Sequence, residues 1–258
     1  MDSQDYELVA KYYDGSYNLK PDLNDLPFYL EIAKQQGGPV LEIACGTGRV
    51  LVEIAKLGIT IEGVDFSQKM LSILREKLHK ESENVRQRVT LHIGDMRTFW
   101  LEKQFRLVTI PFRSLQHMYT IEDQVKALKR TKDHLQPKDG LLVFNVFYPD
   151  YTLLDKEVMD SEWIDPSNPN RILRRYFIRY KVNKLYQYFE GAFIYKTYEN
   201  SKIIKEEKTP IKMGYYTYPH MQLLFEHCGL EILKEYGSFS KDPIDICQEM
   251  IFILRRKD

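Results

Sequence analysis

"VLEIACGTGRVLVEIAKLG", residues Val40 to Gly58, changes character in its middle. An apolar run, Val40-Leu41-Glu42-Ile43-Ala44, breaks into Cys45-Gly46-Thr47-Gly48 and resumes with Val50, Leu51, Ile54, Ala55 and Leu57 at helical spacing, closed by Gly58. The first run predicts a buried strand and the second a helix with one apolar side. Glycine loses more conformational freedom on folding than any other residue. A pair of glycines at a strand-to-helix corner therefore marks a sharp bend or the close approach of something to the backbone.

Working outward, the same alternation repeats. "ITIEGVDFS" reads as a strand, and Ser67 as the N-cap of the helix "QKMLSILREKL", whose Met70, Leu71, Leu74 and Leu78 form one stripe. Strands "VTLHIGDM" and "FRLVTIPF", helix "IEDQVKALKRTKDHL", turn "PKDG" and strand "LLVFNVF" follow. Strands alternating with helices at this pace predict βαβ units and an α/β fold with a mostly parallel sheet covered on both faces. From Tyr148 to Tyr218 the rhythm shifts to polar–apolar alternation in "NRILRRYFIRYKV", "KLYQYFEGAFIYKTYEN" and "KIIKEEKTPIKMGYYTY", with turns at Asn168-Pro169-Asn170 and Asn200-Ser201. This predicts an antiparallel meander inserted in the α/β domain. The main fold resumes with helix "HMQLLFEHCG" and strands "LEILKEYG" and "EMIFILRR". The expected organisation is a helical, tyrosine-rich N-terminal lid over residues 1–37, a core over 38–147 and 219–258, and an inserted β subdomain over 148–218 that serves as acceptor lid or dimer contact.

Composition narrows the function classes. The 258 residues carry 37 basic and 37 acidic side chains, a balance that leaves no footprint for nucleic acid or an anionic membrane. No apolar stretch reaches the roughly 20 residues that span a bilayer, and "MDSQDYELVAKYYDG" has no signal-peptide core. Cys45, Cys228 and Cys247 are odd in number and widely spaced, which argues against a disulfide framework or zinc cluster. No histidine, cysteine or carboxylate group has metal-ligand spacing, so no metal is expected. The reading is a reduced, cytoplasmic protein, monomer or homodimer, with no nucleic acid or membrane partner.

An open parallel sheet binds its ligand at the carboxyl ends of its strands, near the first strand–helix turn. That puts Glu42 to Gly48 at the site, where free backbone N–H groups suit a carboxylate or a phosphate equally. A dinucleotide fingerprint needs a third glycine, and here Leu51 stands in its place. Asp65, ending the second strand, is placed to accept hydrogen bonds from both ribose hydroxyls. Asp95, ending the third, is placed to accept from an adenine amino group, with Met96 as a soft apolar neighbour. The crevice asks for a nucleoside with a short anionic tail. The competing reading of each aspartate is a loop cap.

"VLEIACGTGR", "IEGVDFSQKML", "IGDMRTF", "FRLVTIPFRSLQHM" and "LKRTKDHLQPKDGLLVFNVF" together resemble the ordered motifs of class I S-adenosylmethionine-dependent methyltransferases of small-molecule type. The resemblance covers residues 38–148 and continues weakly through "LLFEHCGLEIL" and "EMIFILRR". It implies a Rossmann-like seven-stranded sheet whose last strand is antiparallel, with S-adenosylmethionine as cofactor. By matching position the turn Glu42, Ala44, Cys45, Gly46, Gly48 and Arg49 holds the methionine end. Asp65 holds the ribose; Gly94, Asp95 and Met96 hold the adenine, flanked by Phe66 and Met70. Pro111 and Phe112 line the cofactor near its sulfonium. The Cys45 position is commonly small or cysteine in the family, which argues against a catalytic thiol.

Methyl transfer from a sulfonium is an in-line displacement with a good leaving group, so alignment and exclusion of water carry most of it. "IPFRSLQHM" lacks the Asn/Asp-Pro-Pro-aromatic segment often carried by methyltransferases acting on nucleobase or glutamine amino groups. That points to an N or O atom of a small-molecule acceptor. An RNA or protein methyltransferase and a non-catalytic cofactor-binding protein stay open as alternatives. His117 is the candidate catalytic base or acceptor-orienting group, set against a histidine bonded to backbone at a helix end. Tyr17 is the second catalytic candidate and Tyr13 a further cofactor contact; packing of the lid is the competing reading. Arg171, Arg174, Arg175 and Arg179 read as a solvated strand face or as a site for an anionic acceptor.

Overall fold

A computed structural model describes residues 5–17, 24–147, 154–245 and 249–257. Cys247 and the expected start of the insert at Tyr148 lie outside them. In chain order the helices are α1 (Asp5–Tyr17), α2 (Asp25–Gln36), α3 (Leu51–Lys56), α4 (Gln68–His79), α5 (Glu83–Arg86), α6 (Ile121–Asp133) and α7 (Tyr218–Cys228). The strands are β1 (Val40–Ile43), β2 (Ile61–Asp65), β3 (Val89–Ile93), β4 (Leu107–Ile110), β5 (Leu141–Phe147), β6 (Val158–Asp165), β7 (Asn168–Asn183), β8 (Tyr188–Glu199), β9 (Lys202–Gly214), β10 (Leu230–Tyr236) and β11 (Glu249–Arg256). A 3₁₀ turn spans Ser114–His117.

The chain divides into two compact units, Asn24–Pro149 with Tyr215–Asp258, and Met1–Leu23 with Asp150–Gly214. The first holds a seven-stranded sheet in the order β10-β11-β5-β4-β1-β2-β3. β1, β2, β3, β4 and β5 run parallel, and β11 is antiparallel to both β5 and β10. This is the expected seven-stranded architecture with one reversed strand. Successive side chains of a strand point to opposite faces, and the core follows that rule. Leu41, Ile43, Leu142, Phe144 and Val146 join α6 and α7 through Leu128, Met221 and Phe225. Val40, Leu107 and Val143 join α2, α3 and α4 through Ile32, Leu51 and Leu74. Glu42, Thr109 and Asn145 share parity with Val40, Leu107 and Val143, so three buried polar residues lie on the α2 side.

Two local expectations shift. The helix after Gly48 is short, starting at Leu51, although its bonding ladder begins one turn earlier with Val52 N donating to Gly48 O at 3.0 Å. α5 has no periodic apolar pattern to announce it and buries only Val85. Ser67 caps α4 as expected, its Oγ accepting from Met70 N at 3.3 Å.

The second unit is a four-stranded antiparallel sheet, β6-β7-β8-β9. Its β6, "VMDSEWID", is one strand more than alternation predicts, because Asp160, Ser161, Glu162 and Asp165 mask the pattern. The β6–β7 turn falls at Pro166–Ser167, and Asn168–Asn170 already pair within β7. Asn200 and Ser201 form the β8–β9 turn, with φ of 50° and 64°, the left-handed pair that a two-residue hairpin favours. α1 packs on this sheet: Leu8 and Tyr12 join Trp163, Leu173, Phe193 and Tyr195 in one apolar cluster. A Cβ on Gly15 would strike the Trp163 indole, so glycine is what lets the helix seat there. The N-terminal stretch expected as one lid is therefore shared, α1 going with the four-stranded sheet and α2 with the seven-stranded one.

Candidate functional site

The expected cofactor residues of the larger unit gather at one edge. β4, β1, β2 and β3 are consecutive in the sheet. Their carboxyl ends carry Pro111–Phe112, Glu42–Arg49, Asp65–Met70 and Gly94–Met96 respectively, and His117 ends the 3₁₀ turn after β4.

Backbone conformation explains the glycine corner. Ala44, Gly46 and Gly48 all take positive φ, at 57°, 53° and 80°. A Cβ at Gly46 would meet nothing within 4 Å, whereas one at Gly48 would run into the Leu74 side chain. Gly46 thus faces open space at the site and Gly48 packs against α4. Ala44 pays the left-handed cost, about 1–2 kcal/mol for a residue with a Cβ. Cys45 is buried and turned inward: a Cβ on Gly63 of β2 would come within 2.8 Å of its Sγ. Burial pushes the Cys45 thiol well up, which argues against a nucleophilic role.

Glu42 is the unusual residue. It is 2% exposed, and its Oε2 has no hydrogen-bond partner among the described residues. Burial raises its pKa from 4.5 to about 8, against the lowering field of Arg49. Thr109, its register partner on β4, is fully buried with an equally unpartnered Oγ1. Two orphaned polar atoms on neighbouring strands are expensive, about 1–3 kcal/mol each, and such groups mark functional positions or unfilled ligand sites.

Asp65 accepts two backbone hydrogen bonds. Its Oδ2 accepts from Gly46 N and its Oδ1 from Ser67 N, both at 2.8 Å. It ties the glycine corner to the start of α4, and burial raises its pKa while these bonds lower it. Each oxygen keeps one lone pair. Asp95 is engaged more fully: Oδ1 accepts from Arg97 N at 2.8 Å and Arg97 Nε at 2.9 Å, Oδ2 from Arg97 Nη2 at 2.5 Å. The Arg97 hydrogen bonds hold its pKa below the usual carboxylate range. One lone pair on Oδ2 remains. Arg49, expected at the methionine end, forks onto the fully buried Asp25 of α2, Nη1 to Oδ1 at 2.8 Å and Nη2 to Oδ2 at 2.5 Å. Its guanidinium also lies over the Phe112 ring, 5.5 Å from the centroid. Met70 is buried beneath the start of α4, and Met96 leans on the core beside β4 and β5.

The loop after β4 is strained and clamped. Phe112 and Arg113 take φ of 59° and 63°, two successive left-handed residues that persist only when their surroundings over-determine them. Glu249 of β11 holds the Arg113 guanidinium, with Nε to Oε1 at 2.7 Å. Asn145 of β5 accepts from Arg113 N at 3.4 Å and from Tyr29 Oη at 3.1 Å, and donates to Glu249 Oε2 at 2.9 Å. His117 is partly buried, and desolvation pushes its pKa from 6.5 down to about 4.

Tyr13 and Tyr17 belong to the other unit, with ring centroids 4.5 Å apart. Tyr17 is buried against the Arg175 guanidinium, 4.2 Å from ring centroid to Cζ. Arg175 is 1% exposed and forks onto Asp160, both bonds at 2.8 Å. It is a buried structural cation, not part of a solvated arginine stripe. Sequence reasoning missed Asp25, Thr109, Asn145, Glu249 and Tyr216. A polar asparagine inside "LLVFNVF" was the one local signal available.

The methyltransferase-domain family model matches residues 40–138. The dTDP-3-amino-3,6-dideoxy-alpha-D-glucopyranose N,N-dimethyltransferase of Streptomyces fradiae is 34% identical over 138 residues, 54% of this chain and 50% of that protein. A putative methyltransferase of Bacillus subtilis (strain 168), YqeM, is 28% identical over 161 residues, 59% of this chain and 62% of its own. The chain thus spans between half and about three fifths of these relatives' lengths. Among solved structures, the CcbJ methyltransferase from Streptomyces caelestis superposes with a TM-score of 0.81 at 21% identity, over 97% of this chain and 96% of that one. DesVI of Streptomyces venezuelae gives 0.73 at 20% identity over 99% of each. These likenesses establish the fold over nearly the whole chain. Residues 40–138 are thus similar to a methyltransferase domain.

Proposed function

We propose that this methyltransferase binds S-adenosylmethionine at the Glu42–Gly48 corner and methylates the amine nitrogen of a small-molecule acceptor, an amino sugar by analogy with the Streptomyces fradiae relative. The observation that carries the reading is Glu42: a buried carboxylate oxygen with no partner, beside open space over Gly46. An ammonium group beside a carboxylate supplies the missing donor, and the cofactor's amino-acid end has one. When bound, S-adenosylmethionine supplies a methyl group on a sulfonium whose leaving thioether is neutral.

The chain's own residues then have distinct tasks. Glu42 accepts from the α-ammonium, with Thr109 as neighbouring hydroxyl. Asp65 gives its two remaining lone pairs to the ribose while holding the corner closed. Asp95 has one lone pair for the adenine amino group, and Gly94, Met96 and Phe66 offer the apolar surround. Ala44, Cys45, Gly46 and Gly48 contribute backbone. Arg49 shapes the corner through Asp25, and Pro111 and Phe112 border the reacting end. The four-stranded unit, with Tyr13 and Tyr17, is assigned to acceptor selection because every expected cofactor residue except Tyr13 lies outside it.

Magnitudes favour one of the two roles expected for His117. At neutral pH an imidazole with a pKa of about 4 is unprotonated. A primary amine resembling a peptide α-amino group has a pKa of about 8, so taking its proton would be uphill by ~5 kcal/mol. His117 is therefore an acceptor-orienting group: it takes a hydrogen bond from the neutral amine and aligns its lone pair, and the proton leaves to solvent after transfer. Of the two roles expected for it, the orienting one is kept.

Calorimetry with S-adenosylhomocysteine, and with NAD as control, tests the cofactor. Turnover of S-adenosylmethionine with a dTDP-linked amino sugar tests the acceptor class. Micromolar NAD binding without a response to S-adenosylhomocysteine would overturn the first; turnover only with RNA, declining steeply with salt, would overturn the second.

A further inference from the structure

We propose that Tyr216 is a positioning residue for the transfer reaction, holding the 3₁₀ turn that carries His117 through its hydroxyl. The inference rests on the reading of His117 as the acceptor-orienting group.

Tyr216 lies where the chain re-enters the larger unit after β9, and it is fully buried. Its Oη sits 2.7 Å from Leu115 O and 2.6 Å from Met118 O. Those carbonyls bracket His117 from both sides. Each also has another donor: Met118 N bonds to Leu115 O at 2.9 Å, and Gln124 Nε2 to Met118 O at 3.0 Å. One hydroxyl proton is shared between the two carbonyls, so the turn closes around a single oxygen atom.

The rest of the loop is fixed from elsewhere. Gln116 Oε1 accepts from Phe147 N at 2.9 Å, and its Nε2 donates to Phe147 O at 3.3 Å, pinning the turn to the end of β5. Ser114 Oγ donates to Pro111 O at 2.7 Å. Arg113 is held by Glu249 and Asn145. These contacts secure residues 111–116. The stretch from Leu115 to Met118 takes further side-chain bonds from Tyr216 and Gln124. A fully buried tyrosine would be a phenylalanine if packing were its only task, since burying a hydroxyl is unfavourable unless it is bonded. Here the hydroxyl is spent on two carbonyls of one functional loop. The Tyr216 hydroxyl bonds to Leu115 O and Met118 O and not to Glu42, Gly46 or Asp65, so the clamp is assigned to the acceptor side.

The test uses the full chain with Tyr216→Phe, which keeps the ring. Expected results are amide exchange at Leu115 to Tyr119 at least tenfold faster, an upward shift of the His117 imidazole titration followed by NMR, and S-adenosylhomocysteine affinity within twofold of wild type. Where a dTDP-linked amino sugar turns over, kcat should fall by tenfold or more with the cofactor KM unchanged. The double variant with His117→Ala should be no slower than His117→Ala alone, because residues acting as a unit are non-additive. A merely structural tyrosine would lower the melting temperature and leave the imidazole titration and the non-additivity untouched. Unchanged exchange and titration, or losses that multiply in the double variant, would overturn the proposal. Failure of wild type to bind S-adenosylhomocysteine would instead overturn the function proposed above, and the exchange and titration results would still decide the clamp.

Discussion

Replacing Glu42 by glutamine separates a buried acid that serves the cofactor from one that serves the fold. Without ligand, a carboxyl with a pKa of about 8 is mostly protonated at pH 7, about nine parts in ten. An ammonium group placed beside it favours the ionised form. Cofactor binding should therefore release most of a proton at pH 7, and affinity should rise roughly twenty-fivefold between pH 6 and pH 8 if ionised Glu42 pairs only with the protonated ligand amine. The ligand's own α-amino group, with a pKa near 8, turns the curve down above that. A charge-assisted hydrogen bond is worth ~1.5–3 kcal/mol. At pH 7 about 1.4 kcal/mol of that goes to ionising the acid. Glu42→Gln should thus cost no more than about fifteenfold in affinity at pH 7 and ten- to a hundredfold near pH 8, and its binding should lose the proton release.

Stability moves the other way. Glu42 has its folded pKa raised above its unfolded value, so its contribution is fully present below about pH 4.5 and is lost as pH rises through 8. The gap at ~1.4 kcal/mol per pH unit caps the loss at ~5 kcal/mol. Ligand-free Glu42→Gln should melt higher than wild type at pH 8–9 and close to it at pH 5. Calorimetry in buffers of differing ionisation enthalpy gives the proton count, and thermal melts across pH give the rest. Binding without proton release, or a variant that binds as well as wild type at pH 8, would show that Glu42 serves the fold alone.

The two glycines should part company. Gly46→Ala puts a methyl into open space at positive φ, so affinity for S-adenosylhomocysteine should fall at least tenfold for ~1 kcal/mol of stability; Gly48→Ala meets Leu74 and should show first as a lower melting temperature, by ~1–3 kcal/mol. Asp65→Ala should weaken cofactor binding ten- to a hundredfold and also destabilise the fold, since Gly46 N and Ser67 N lose their acceptor; an unchanged melting temperature would show that the corner is held otherwise. His134 is buried neutral, with Nε2 accepting from Leu101 N at 3.0 Å and Nδ1 facing Arg130 O at 2.8 Å. Burial lowers its pKa, so the unfolded chain takes protons first and stability should fall as pH drops below about 6.5; His134→Gln should flatten that slope in melts between pH 7 and pH 5.

The parts of the fold and site legible in the sequence are those whose cause is local. The glycine corner, the acids ending β1, β2 and β3, and the Ser67 cap each sit within a few residues of the pattern that explains them. The double-sided burial of β1 and β5 is visible as apolar runs, each interrupted by one polar residue, Glu42 and Asn145. What sequence reading missed depends on register and distance. Thr109 matters because β4 pairs with β1 so that it stands beside Glu42. Asp25 matters because α2 delivers it to Arg49, 24 positions along the chain. Arg113 and Glu249 are 136 positions apart and meet because β11 reverses alongside β5. The meander's fourth strand hid behind acidic residues, one of which, Asp160, pairs with the buried Arg175.

The α2 face of the sheet separates architecture from function by satisfaction of its polar groups. Glu42, Thr109 and Asn145 are all buried there on neighbouring strands, and in a low-dielectric interior each needs partners. Asn145 has them, from α2, β11 and the loop after β4, and so its amide fixes the strained Phe112–Arg113 backbone at no net desolvation penalty. Glu42 Oε2 and Thr109 Oγ1 lack them among the described residues, although Arg49, which forks onto Asp25, acts on the same neighbourhood. Had the Asp25–Arg49 pair been split, with Arg49 turned to Glu42, the corner would be satisfied without ligand and the raised pKa of Glu42 would collapse. Locking Arg49 onto Asp25 keeps Glu42 short of a cation. A ligand bearing an ammonium group then gains both the ion pair and the relief of an existing penalty. Asp25→Asn should release Arg49 toward Glu42, lower the Glu42 pKa in the ligand-free protein, and weaken cofactor binding although Asp25 itself is fully buried. If binding and its proton release survive Asp25→Asn unchanged, the cation shortage at Glu42 does not depend on that pair.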